Sequence, residues 1–215
     1  MNSRENSLNK RTILLGAAAV AALLILAAGC SALSTGSRAM PSDIEKTSAT
    51  ADKSQDIVVR IDGEPVTKKG FDSYKLSLNS GVESKLSDEQ ILDKLVDRQV
   101  VYNQAVKEGM TASEAEVDSG VKAARETMEA DSETYAAFRE YVKGLGLTEE
   151  AYWESVRPAY RKALTCGKYK KAQKDKYIKD NKEKAISDLN SEFLKYYDEK
   201  VKALVEKAKV ESFLK

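Results

Sequence analysis

The 215-residue chain contains no histidine, two cysteines, three prolines and one tryptophan, and its 35 Lys+Arg are offset by 34 Asp+Glu. Each shortage removes a class of chemistry. Without imidazole there is no Ser-His-Asp or Cys-His catalytic pair and no histidine metal ligand, and two cysteines cannot build a Cys₄ zinc site. The formal charge of +1 lacks the basic excess of a general nucleic-acid binder. Few prolines and 11 glycines, in a chain rich in Ala, Lys, Glu and Leu, fit a mainly helical protein. No metal, cofactor or nucleic-acid partner is expected.

What is present begins with a long apolar run. Arg4, Lys10 and Arg11 precede an uninterrupted apolar stretch over residues 13–28, the layout of an export signal. The run closes on Leu26-Ala27-Ala28-Gly29-Cys30, which resembles the lipobox of bacterial lipoproteins. That resemblance implies a signal peptide over residues 1–29 and lipidation of Cys30 as the mature N-terminus. One position departs: the family prefers a branched aliphatic residue three before the cysteine, and this chain has Ala27, with Leu26 one place early. The alternatives are an uncleaved anchor over residues 12–30, close to the roughly 20 residues that span a bilayer, and plain secretion. All three put the rest of the chain on the extracytoplasmic side of the cell membrane. Loss of residues 1–30 removes Arg4, Lys10, Arg11 and Glu5 and leaves 32 basic against 33 acidic residues. Residues 30–55 are rich in Ser, Thr, Ala and Gly and read as a lipidated flexible tether.

The pattern then changes. Ile57-Val58-Val59-Arg60-Ile61 is a β-branched run followed by Asp62-Gly63, a strand entering a tight hairpin turn. Thr67 reads as the cap of a helix bearing Phe71, Tyr74, Leu76 and Leu78. Ser87 with Gln90, and Thr111 with Glu114, have the spacing of capping boxes. The first opens a helix with Ile91, Leu92, Leu95, Val96, Val100, Tyr102 and Val106 on its apolar face, ending at Gly109. The second opens a helix with Val117, Val121, Ala124 and Met128 inward. Asp131 precedes an aromatic helix holding Tyr135, Phe138 and Tyr141, and Thr148 caps the next.

These elements, in this order, resemble the N-terminal domain of the SurA/PrsA family of exported chaperones and foldases. The resemblance is carried by residues 61–67 (IDGEPVT), 109–118 (GMTASEAEVD), 146–152 (GLTEEAY) and the closing 207–211 (KAKVE). It implies a helical domain over residues 56–165 and a closing strand over 207–215, the ends joined in a two- or three-stranded sheet. Fuller members carry a parvulin-type prolyl isomerase module of roughly 90 to 100 residues between the third block and the closing segment. Here residues 166–206 fill that interval, too few for such a module and free of histidine. They read as a long helical extension, with eight lysines over 168–184 and Leu189, Phe193, Leu194, Tyr197, Val201, Leu204 and Val205 on a helical period.

Several features invite sharper readings. Gly167-Lys168 lacks the glycine of a phosphate loop, and Glu149, Glu150 and Glu154 suit a helix N-terminus as well as an acid/base set. Cys166 has no intrachain mate once Cys30 is lipidated and reads as a small buried side chain. The lysine segment reads as a solvated helix face that could also meet anionic lipid. Tyr135, Phe138, Tyr141, Tyr152 and Trp153 crowd into one window and read either as core between two helices or as a partly exposed wall for client polypeptides. The expected protein is a non-enzymatic, membrane-tethered holdase for unfolded exported proteins, without isomerase activity. The alternative is a dedicated assembly lipoprotein that grips one envelope partner. If Cys30 carries lipid, Cys30→Ala abolishes metabolic lipid labelling and leaves a slower-migrating precursor. Unchanged processing with no label in the parent protein selects the uncleaved anchor instead.

Overall fold

The computed structural model describes residues 56–79, 85–183 and 186–214, so the export segment, the tether and Cys30 lie outside the described residues. Three strands and six helices are present among them. In chain order these are β1 (Ile57–Ile61), β2 (Glu64–Thr67), α1 (Lys68–Asn79), α2 (Asp88–Lys107), α3 (Glu114–Glu129), α4 (Ser132–Gly144), α5 (Glu149–Asp180), α6 (Ile186–Val205) and β3 (Val210–Ser212). The fold is mainly helical with one small antiparallel sheet, ordered β2-β1-β3.

The hairpin forms because Asp62 and Gly63 both adopt positive φ, 52° and 87°, the backbone that matches strand twist in a two-residue turn. β1 pairs with β2 on one side, Ile61 opposite Glu64, and with β3 on the other, Ile61 opposite Val210 and Val59 opposite Ser212. The two ends of the domain therefore share one sheet. The closing strand is three residues long, because the chain leaves α6 through a turn and the N–H of Asp62 takes the carbonyl of Lys209 at 2.8 Å.

The helix starts are built as capping chemistry requires, with one box displaced from its expected place: the cap of α3 is Ser113 rather than Thr111, two residues later along the same run. The hydroxyl of Ser87 accepts from the Gln90 N–H while Gln90 Oε1 accepts from the Ser87 N–H at 2.9 Å. Ser113 and Glu116 repeat the exchange. Thr67, Asp131 and Thr148 accept from the N–H groups of Gly70, Thr134 and Ala151 at 3.2, 2.7 and 3.1 Å. Such caps each contribute about 1 kcal/mol.

Apolar burial arranges these helices around α2, which packs against α1, α5, α6 and β1. Its Ile91 meets Val58, Phe71 and Tyr74, and its Val96 and Val100 meet Val59 and Ile61 of the central strand. Val101 and Ala105, on the other side, meet Tyr169 of α5 and Val201 of α6. A separate cluster binds α3, α4 and the first half of α5. α5 continues unbroken past residue 165, through Pro158, and α6 returns along α2. Leu194 departs from the expected apolar face of α6: it is 46% exposed, because it follows Phe193 by one position and so points about 100° away from it. Val106, expected on the apolar face of α2, is likewise exposed.

Deletion of residues 207–215 removes the partner of β1 and with it the Asp62–Lys209 and Phe213–Val58 backbone bonds, both 2.8 Å. At about 1 kcal/mol per bond plus the lost packing of Leu214, the cost is about 3 kcal/mol. The melting temperature is expected to fall by about 6–12 °C. A truncated chain that melts with the parent contradicts the shared sheet.

Candidate functional site

The aromatic window folds into a cluster at the meeting of α4 and α5. Phe138 is 2% exposed and packs edge-on against Tyr152, ring centroids 5.1 Å apart, and against Trp153 at 5.4 Å. Tyr152 and Trp153 lie perpendicular to one another and are buried with Val117, Met128 and Val156. Burial drives the phenol of Tyr152 well above its ordinary range, so it stays neutral. The expected client wall is thus corrected for three of its five residues: Phe138, Tyr152 and Trp153 are core. The reason is geometric, since Tyr135, Phe138 and Tyr141 fall three apart and only the central one can point straight at α5.

Tyr135 and Tyr141 flank this core half-buried. The Tyr135 hydroxyl donates to Glu149 at 2.7 Å, and the Arg139 guanidinium lies over its ring. Glu149 also pairs with Arg139 at 3.2 Å. Of the three carboxylates singled out in the sequence, Glu149 pairs with Arg139, Glu150 with Arg125 at 3.2 Å and Glu154 with Arg157 at 3.6 Å.

The other tempting residues settle into structural roles. Cys166 is half-buried with its thiol 3.7 Å from the Arg98 carbonyl, and burial raises its pKa, which keeps it protonated and a poor nucleophile. Within the lysine segment, Lys168 bonds Glu116 at 2.9 Å, Lys171 pairs with Asp175 and Lys170 covers the ring of Tyr197. Lys168 and the Ser113 N–H together hold the Glu116 carboxyl at about 2, so the junction between α3 and α5 stays ionised through neutral and mildly acid solution. Among the described residues there is no cluster of three His, Cys, Asp or Glu able to hold a metal ion, and no helix long and apolar enough to cross a membrane.

A wide concavity lies elsewhere. A groove of about 1270 Å³ runs between the hairpin and α1 on one side and α2 with the Pro158 region of α5 on the other. Along its α2 wall stand Leu95, Arg98, Tyr102 and Val106, spaced three or four apart and so on one face. Val106 is 43% exposed there. The facing rim is the outer edge of β2, where Pro65 has no N–H to offer an incoming strand, which blunts the edge against pairing. Pro158 likewise has no N–H, so the carbonyl of Glu154 receives none from one turn ahead, and both residues line the groove. An occupant is therefore met by side chains rather than by an added strand.

Sequence reasoning placed Leu95, Tyr102 and Val106 in the core and did not single out Arg98 or Pro158. The signal that could have found them is the breadth of the apolar face of α2. Positions 91, 95, 96, 100, 102 and 106 span too wide an arc for one buried stripe, so part of that face had to meet something other than the core.

Phe138→Ala empties the centre of the aromatic cluster and is expected to cost about 3–5 kcal/mol in urea unfolding. A loss below about 1 kcal/mol contradicts its place in the core.

A family model described as a SurA-like N-terminal domain matches residues 6–163 of the chain. No curated protein and no solved structure matches it.

Proposed function

Because this chain belongs to the family of SurA-like N-terminal domains, a chaperone-type family whose members bind client polypeptides, we propose that it is a membrane-tethered, extracytoplasmic holdase for exported proteins and has no prolyl isomerase activity. The observation that carries the reading is the open groove with a mixed apolar and polar wall, in a chain whose aromatic cluster is committed to the core. A surface that receives many unfolded segments needs depth without a fixed strand register, and a blunted β2 edge beside an exposed helix face meets that need.

Tethering is supported by the charged and apolar N-terminus, which the family match enters at residue 6, and by the Gly29-Cys30 close of the apolar run. The lack of isomerase activity is supported by residues 166–206, where the second half of α5 and α6 pack onto α2 through Tyr169, Tyr197 and Val201 in the interval that holds the catalytic module of fuller members. The histidine-free sequence agrees with it. Release from such a groove is passive, so affinities near micromolar, about −8 kcal/mol, are expected.

The full chain is expected to suppress aggregation of several unrelated unfolded clients in light-scattering assays and to leave the rate of prolyl isomerisation of a test peptide unchanged. Measurable isomerase activity overturns the second half. No suppression at several-fold molar excess, together with one stoichiometric partner recovered by crosslinking in intact cells, replaces the holdase with a dedicated assembly lipoprotein.

A further inference from the structure

We propose that the groove selects client segments that carry an internal aspartate or glutamate between apolar residues, with Arg98 as the anchor for the carboxylate. The inference rests on the groove being the client site and adds what that site prefers.

Arg98 lines the groove with a guanidinium that the fold leaves only partly satisfied. Its Nη2 is buried and has no hydrogen-bond partner among the described residues. Its guanidinium lies over the ring of Tyr74, 5.6 Å from the centroid, and no ion pair to Arg98 forms among the described residues. The ordinary state of a half-buried guanidinium is to meet a carboxylate through its planar fork, and stranding one of its nitrogens out of reach of water costs free energy. Of the three acidic residues that line the groove, Glu64 on the β2 edge forms no ion pair with Arg98 among the described residues, and the other two are engaged elsewhere. Asp62 accepts from Asn103 at 3.1 Å and from the Lys209 N–H at 3.0 Å, and Glu154 pairs with Arg157. The contact with the Tyr74 ring accounts for a cation at this place but leaves the Nη2 hydrogens unsatisfied, so the fold by itself does not use the whole fork.

The neighbours of Arg98 say what kind of carboxylate fits. Leu95 lies one turn before it on the α2 wall, and Tyr102 and Val106 lie one and two turns after it. At 1.5 Å per residue these positions stand about 4.5 Å before and about 6 and 12 Å beyond. In an extended segment, residues two apart on the same face are separated by about 6.6 Å. A carboxylate at Arg98 therefore places apolar side chains two positions to either side against Leu95 and Tyr102. A chain-terminal carboxylate has residues on one side only and leaves half of this wall empty, so the inference commits to an internal acidic side chain.

The test uses the full chain and fluorescently labelled peptides, capped at both ends, with apolar residues two places on either side of a central Asp or Asn. A further peptide keeps the central Asn and carries a free C-terminal carboxylate. The parent protein is expected to bind the Asp peptide about tenfold more tightly than the Asn peptide, a difference of about 1.4 kcal/mol, and to gain nothing from the free C-terminus. Arg98→Met is expected to reduce the Asp/Asn ratio to about one. Equal binding of the Asp and Asn peptides by the parent overturns the inference whether or not the variant folds, as does an undiminished ratio in Arg98→Met. Preference for the free C-terminus over the internal Asp overturns the choice of source. Tyr102→Gln, at a position the bound segment meets, separates the two layers. If it leaves both peptides bound as tightly as the parent does, the groove is not the client site. If it weakens both while the parent shows no Asp preference, the groove stands and the role of Arg98 falls.

Discussion

One aspartate at the hairpin turn ties together three parts of the chain that are far apart in sequence. Asp62 adopts a positive φ that only a turn of this kind requires, donates its N–H to Lys209, accepts the Lys209 N–H through Oδ1, and accepts from Asn103 of α2 through Oδ2. The hairpin, the closing strand and the central helix are thereby fixed to one residue. Asn103 in turn accepts from Gln99, so the network runs along the floor of the groove. Wherever β1 sits, β3 and the wall of the groove must sit with it.

The second organising element is α5, which belongs to two cores at once. Its first half closes the aromatic cluster through Tyr152, Trp153, Val156 and Tyr160, and its second half meets α2 and α6 through Tyr169. Between them the Thr165 hydroxyl accepts the N–H of Ala112, both fully buried, which pins the turn between α2 and α3 to the middle of the helix. Arg157 and Arg161 reach from the same helix to Glu114 and Asp118 at the start of α3. These pairs are largely solvated and contribute little each, so their effect is to set the direction of α3 rather than to hold it on. Because α5 is continuous through residue 180, its second half is an outgrowth of the domain itself.

This arrangement explains how a chain of nearly balanced charge keeps an open groove. The aromatic cluster of α4 and α5 is buried away from the groove, and the groove wall is left with side chains of mixed character on a helix that commits its opposite face to α5 and α6. Edge pairing is denied by Pro65, which keeps an open sheet edge from becoming a route to aggregation. The same blunting leaves recognition to side chains, above all to those of α2.

The amino-acid sequence alone determined where elements begin, end and turn. The caps at Thr67, Ser87, Asp131 and Thr148 and the turn at Asp62-Gly63 act within three or four residues, so the partners of each bond are already neighbours in the chain. The pairing of a closing strand with β1 was legible for a related reason, since a lone hairpin needs another strand and few segments could supply one. Tertiary packing decided the rest. Whether Phe138 or Tyr135 faced the interior depended on where α5 crossed α4, and whether Val106 was core or groove depended on how far α5 stood from the hairpin. That Arg98 lacks a carboxylate partner depended on which acidic residues the fold drew away to Asn103, Lys209 and Arg157. Each is a relation between residues tens of positions apart, and no local pattern encodes the distance between them.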